Sequence, residues 1–201
     1  VILLNVWHSM QKRIVCRRLL IAPFVKECVM PSRAQDVALY LSHHFHATWD
    51  QFGFFDLHRL LYLAQGWHLA SGKGVLFAES IGAHRSAPLT GTVKGLIPQN
   101  EMLPYPDLPA EDEDFLDAFC TTYGVADPET VRRQVDRDDG AWRLTQSIAG
   151  EGAVILPTLM RASFRLMLLD HAETSRQTQQ AQLAAQVAST GAANVIAFRR
   201  H

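Results

Sequence analysis

The stretch Leu60-Leu61-Tyr62-Leu63-Ala64-Gln65-Gly66-Trp67-His68-Leu69-Ala70, "LLYLAQGWHLA", decides how this chain is read. With Leu57 before it, Leu60, Leu61, Ala64, Trp67 and His68 recur at intervals of three and four, the spacing of a helix. "SGKG" at 71–74 then places glycine where a helix ends in left-handed backbone. Leu57, Leu60, Leu61 and Ala64 are expected to form the buried stripe. Three further residues need their own reasons. Gly66 weakens a helix by about 1 kcal/mol against alanine, so its missing side chain is expected to admit a neighbouring helix or strand. Trp67 is expected to fill the volume beside it. Gln65 carries an amide that can tie down a loop backbone.

Upstream, Ser32 and Gln35 have capping-box spacing, and Val37, Leu39, Tyr40 and Leu41 continue a helical pattern to about Phe45. "HATWDQFGFF" reads as a loop around Gly53, and Asp56 can cap the helix that follows. Downstream, "GVLFAESIGAHRSAP" is extended, with Val75, Phe77 and Ile81 placed to pair as one or two short strands. Thr90 can cap a short helix, "GTVKGLI", and Pro98, Pro104, Pro106 and Pro109 mark a loop. Glu111 to Glu113 open a helix with acidic residues where the helix dipole favours them, and it stops at Gly124. Asp127 and Pro128 form an N-cap and N1 pair, Trp142 follows Gly140, and "GEG" at 150–152 is a break. Pro157 opens a last helix with a wide apolar face.

The expected fold is mainly α: a compact bundle of about six helices with one small β-hairpin-like insertion at about residues 74–86. No alternating βαβ pattern and no Gly-rich phosphate loop is present, which argues against a nucleotide-binding α/β fold. Residues 30–174 form the expected helical domain. Residues 1–29 are read as an N-terminal extension, either a translated upstream region or an amphipathic basic arm, because "MPSRAQDVALYL" from Met30 resembles a clean domain start. Residues 175–201, rich in Gln, Ala and Ser, are expected to form a modest helix that frays into a tail.

The chain has 201 residues, and 48% hydrophobic content suits one globular domain with tails. A net charge of −1 and a sequence pI near 6.8 exclude a global field that would draw it to nucleic acid or acidic lipid. Cys16, Cys28 and Cys120 are odd in number and lack CxxC spacing, which favours a reducing, cytoplasmic setting over a disulfide framework. No apolar run approaches the roughly 18 residues that span a bilayer.

Across residues 33–165 the chain resembles the Panacea domain, the SocA-like antitoxin family. The family's second helix reads L-x-K-L-L-Y-[YF]-[AS]-Q-G-W-x-L-A. Leu57, Leu60, Leu61, Tyr62, Ala64, Gln65, Gly66, Trp67, Leu69 and Ala70 match it. Leu76, Phe77, Glu79 and Ile81 match the strand segment, Ala83 and Pro88 the next, and Trp142 stands in the place of a late tryptophan. The family's lysine is here Arg59, and its Gly-Pro-Val region here holds His84, Ala87, Pro88 and Leu89. The resemblance implies a helical antitoxin that neutralises a cognate protein toxin, encoded nearby and often in a prophage, by direct binding. It further implies an adaptor role toward a Clp-type protease, and neither enzymatic activity nor a cofactor.

Other chemistry is weighed against this reading. His43, His44 and His46 cluster at the end of the first helix, and a metal-dependent hydrolase would draw on them. They lack an HExxH pattern, a cysteine ligand or a clear carboxylate partner. His58 and His68, about 15 Å apart along one helix, cannot share an ion. Cys120 beside Phe119 reads as a core thiol. Arg132, Arg133 and Arg137 would serve a DNA-binding autoregulator, but Asp136, Asp138 and Asp139 offset them. For a binding protein the candidates are the aromatics Trp49, Phe52, Phe54 and Phe55, together with His84 and Arg85.

Overall fold

The computed structural model describes residues 30–93 and 104–198, with side chains described through residue 182. The readings on residues 1–29, Cys16, Cys28, Pro98 and residues 94–97 of "GTVKGLI" lie outside it. Among the described residues the fold is mainly helical, with one two-stranded antiparallel sheet. In chain order the elements are α1 (Ala34–Thr48), α2 (Phe54–Ala70), β1 (Ile81–Ala83), β2 (Pro88–Thr90), a 3-10 turn (Gly91–Val93), α3 (Ala110–Tyr123), α4 (Pro128–Val135), α5 (Ala141–Ala149) and α6 (Pro157–Phe198).

Helix α2 is the centre around which the rest is built. Helices α1, α3, α4 and α6 and strand β2 all pack on it. The expected stripe of Leu57, Leu60, Leu61 and Ala64 is buried, but so is every residue from Leu60 to Ala70. From Leu60 onward α2 is therefore covered on every side and lies inside the protein, with its few polar groups buried as well. Gly66 faces α6: a Cβ there would stand 2.3 Å from the ring of Phe164. Phe164 meets Trp67 edge-on at 4.9 Å and Tyr62 at 5.5 Å, so the two helices meet through an aromatic cluster over a glycine.

Several helix ends are satisfied across space rather than locally. The expected capping box of Ser32 and Gln35 does not form. Ser32 donates its hydroxyl to Asp112 at 2.6 Å, and the Glu79 carboxylate accepts from the N–H of Ala34 at 3.0 Å to cap α1. In α5, the N–H of Ala141 is taken by the Ser163 hydroxyl and that of Trp142 by the Tyr62 hydroxyl. Elsewhere the local rules hold. Asp127 accepts from both the hydroxyl and the N–H of Thr130, which holds its carboxyl below the usual carboxylate range and starts α4. Gly72 and Gly74, at φ of 85° and 100°, end α2 in the left-handed conformation foreseen for "SGKG".

The hairpin lies later than residues 74–86. Its register is Ile81↔Thr90, Gly82↔Leu89 and Ala83↔Pro88. Val75 to Ser80 instead run as a connector that touches Ser32 through one bridge at Phe77. The far side of β1 pairs with residues 153–155, through Ala83 N–H to Ala153 O at 2.7 Å and Ile155 N–H to Ile81 O at 2.8 Å. Thr90 closes β2 rather than capping a helix, and its N–H goes to His58 Nδ1 at 3.1 Å. Helix α6 runs through residue 175 without a break, to Phe198.

Candidate protein-binding surface

Tyr62, Gln65, Trp67 and His68, the polar and polar-tipped residues of "LLYLAQGWHLA", all find partners inside the molecule. The Gln65 amide donates to Phe77 O at 3.0 Å, and its oxygen accepts from the N–H groups of Leu76 at 2.8 Å and Phe77 at 3.3 Å. It therefore holds the connector after α2 against the helix, the clamp its amide suggested. Trp67 donates its indole N–H to the Tyr123 hydroxyl at 2.7 Å, and that hydroxyl donates to Gln134 at 3.0 Å. His68 donates Nδ1–H to Gly74 O at 2.9 Å, since a carbonyl can only accept. Its Nε2 lies 3.7 Å from Asp112, the acceptor of the Ser32 hydroxyl, and burial pushes its proton affinity down. These groups organise the core and present no chemistry to solvent.

The aromatic stretch 49–55 divides into two groups. Trp49 is 6% exposed, packed on Phe45 at 4.8 Å and Phe52 at 6.0 Å. It closes the core at the end of α1 and is not held out for a partner, because an indole gains more by covering Phe45 than by facing water. Phe52 is half-buried in the same group, with His46 against its edge. Phe54 and Phe55 lie in the first turn of α2, not in a loop, because Gly53 begins the helix and Asp56 reaches back to its N–H at 3.2 Å. Phe54 covers His58 at 4.5 Å, while Phe55 remains 43% exposed.

Phe55 belongs to a surface assembled from three segments. One turn on, Arg59 lies 5.9 Å from its ring centre, pairs with Asp56 at 3.1 Å and donates to Ser86 O at 3.4 Å. This tethers the hairpin tip, with exposed Arg85, to the start of α2. His84 is held from the other side: its carbonyl accepts the Trp142 indole N–H at 2.9 Å, and its ring lies over Gly82 and Gly152. Arg143 covers the Trp142 ring at 4.2 Å and is fixed by Asp136. The structure thus brings Phe55, His84 and Arg85 into one neighbourhood and leaves Trp49 and Phe52 outside it. Arg59 and Arg143 were not singled out from the sequence. Arg59 was legible as the residue four after Phe55, whereas the stacking of Arg143 depends on the orientation of α5.

The remaining candidates disperse. His43 stacks on Tyr105 at 5.1 Å, His44 lies against Phe45 and Gly124, and His46 meets Phe52. Among the described residues no group of three or more His, Cys, Asp or Glu gathers to hold a metal ion. Cys120 is buried, and burial together with Asp117 pushes its thiol well above the usual range. Arg132 pairs with Glu129 at 2.8 Å, and Arg137 with Asp139 at 2.7 Å and Asp170 at 3.4 Å. No helix among the described residues is long and apolar enough to cross a membrane. No family model matches the chain, and no curated protein or solved structure matches it.

Proposed function

We propose that this chain acts by stoichiometric protein binding, as an antitoxin that neutralises a cognate toxin encoded nearby. The observation that carries the reading is the surface of Phe55, Arg59, His84, Arg85 and Arg143. It joins an exposed aromatic ring to arginines held over aromatic faces, the side-chain types that dominate binding hot spots. Arg59 and Arg143 are restrained by Asp56 and Asp136, so a partner would find them already ordered. Arg85 makes no ion pair among the described residues and offers its charge to an acidic group on the toxin. The resemblance to the Panacea family names the partner class. Within that reading the protein works in the cytoplasm, and delivery of the bound toxin to a Clp-type protease would be a second step.

The test is genetic and then physical. A small reading frame beside this one, toxic when expressed alone, should become harmless when this chain is coexpressed. The purified pair should form a complex that Arg85→Glu or Phe55→Ala weakens at least tenfold, with the fold unchanged by circular dichroism. Failure of every adjacent frame to be neutralised refutes the antitoxin reading. A complex indifferent to both substitutions refutes this surface. The metal-dependent hydrolase and the DNA-binding autoregulator predict bound zinc or manganese and a salt-sensitive gel shift, respectively.

A further inference from the structure

The segment 153–156 lies along the outer side of β1, and its own outer edge is open. In an antiparallel ladder, residues whose backbone groups bond to the neighbouring strand alternate with residues whose N–H and C=O point the other way. The C=O of Ala153 and the N–H of Ile155 bond to Ala83 and Ile81. Val154, between them and opposite Gly82, therefore turns both its backbone groups away from β1. Among the described residues neither group has a hydrogen-bond partner, and nor does the N–H of Leu156. The opposite edge of the sheet is closed: on β2 Pro88 has no N–H, and Thr90 gives its N–H to His58 Nδ1. Proteins guard exposed edges with charge, proline or cover. The 153–156 edge reads Ala-Val-Ile-Leu and carries neither charge nor proline. Ile155 is buried, while Val154 and Leu156 are 51% and 59% exposed.

We infer that this edge receives an extended segment of the partner protein as an added strand, with apolar side chains at alternate positions of that segment. The backbone decides the class of occupant. The N–H and C=O of Val154 and the N–H of Leu156 are matched in spacing by another extended backbone, whereas a helix has its own groups already paired. The side chains decide the pattern, because Val154 and Leu156 stand two residues apart and meet every second residue of an added strand. The edge is also continuous with the Phe55–Arg85 surface. The His84 ring lies over Gly82 and Gly152, and the Gly152 N–H bonds to Ala83 O at 2.9 Å, so the two meet at His84. This assignment rests on the protein-binding reading above and adds the conformation of the bound segment; it does not require the partner to be a toxin.

The test uses the full chain and a phage-displayed library of random peptides. Selected peptides are expected to carry apolar residues at every second position. When a synthetic copy of one is bound, hydrogen exchange at Val154 and Leu156 should slow at least tenfold. Val154→Pro removes an outward N–H at an edge position that proline tolerates, and should weaken the peptide at least tenfold. Leu156→Lys keeps the backbone groups and sets a charge beside them; it should weaken the peptide similarly with circular dichroism unchanged, whether or not Val154→Pro folds. Selection of no peptide, or binding indifferent to both substitutions, would overturn the inference. So would Val154 and Leu156 amides already protected in the free chain, which would assign the edge to a second copy or to another part of this chain. A neighbouring toxin that is neutralised while both amides exchange as in the free chain would overturn it and leave the antitoxin reading standing. Failure to find any neutralised toxin removes that reading alone, and the peptide result still decides the edge.

Discussion

Replacing Gly66 by alanine tests the packing at the centre of this fold. The new Cβ would stand 2.3 Å from Cε2 and Cζ of Phe164 and 2.6 Å from its Cδ2. Carbon atoms rest at about 3.5–4.0 Å, so the overlap with each of these atoms is roughly 1 Å or more. The ring cannot simply swing aside. Phe164 is 1% exposed and stands edge-on to Trp67 and Tyr62. Overpacking costs about 1–3 kcal/mol, and contact with three ring carbons puts this site at the upper end. Alanine returns about 1 kcal/mol through its better helix propensity. The expected net loss is about 2 kcal/mol, or roughly 4–8 °C in Tm at about 2–4 °C per kcal/mol for a chain of this size. Urea titration should show a lower midpoint with an unchanged slope. Pairing Gly66→Ala with Phe164→Leu should be clearly less damaging than the sum of the two, because the leucine vacates the space the methyl enters. A Gly66→Ala protein as stable as the wild type, or additive effects in the pair, would refute the claim that Gly66 admits α6.

Gln65→Leu leaves buried N–H groups of Leu76 and Phe77 and the carbonyl of Phe77 without their partner, for an expected loss of about 3 kcal/mol; hydrogen exchange should show faster opening of 75–79. His68 titrates below its ordinary value because it is buried, so the unfolded chain binds its proton more readily. Its contribution to stability is complete above about pH 6.5 and is lost as pH falls toward the lowered folded value. His68→Gln should flatten the stability profile in that window, as read by urea titrations at several pH values. Trp142→Phe removes the donor to His84 O and should loosen the hairpin tip, seen as faster exchange at 84–86, while the secondary structure is retained. Cys120 should resist thiol reagents in the folded protein and react on unfolding, measured residue by residue by mass spectrometry.

Local chemistry made much of the fold legible. Asp127 and Pro128, Gly72 and Gly74, and the acidic first turn of α3 act within a few residues of themselves, so their effects depend on spacing alone. The periodicity of 57–68 likewise identified α2, and Gln65 and Gly66 had roles that followed from their chemistry. What periodicity could not show is that α2 is covered on every side, since that depends on where α1, α3, α4 and α6 are placed around it. The same limit applies to the caps. Ser32 had the right spacing to cap α1, but Asp112, eighty positions away, is the acceptor it meets, and Glu79 caps the helix instead. Trp49 and Phe55 stand six positions apart in a similar setting. One is buried because Phe45 and Phe52 are there to receive it, and the other stays at the surface beside Arg59. The sequence by itself determined where the helices lie, those ends that are closed locally, and the residue types of the core, because these follow from interactions a few residues long. Only the tertiary structure decided which aromatics and arginines share a surface, because that is set by contacts between segments remote in the chain.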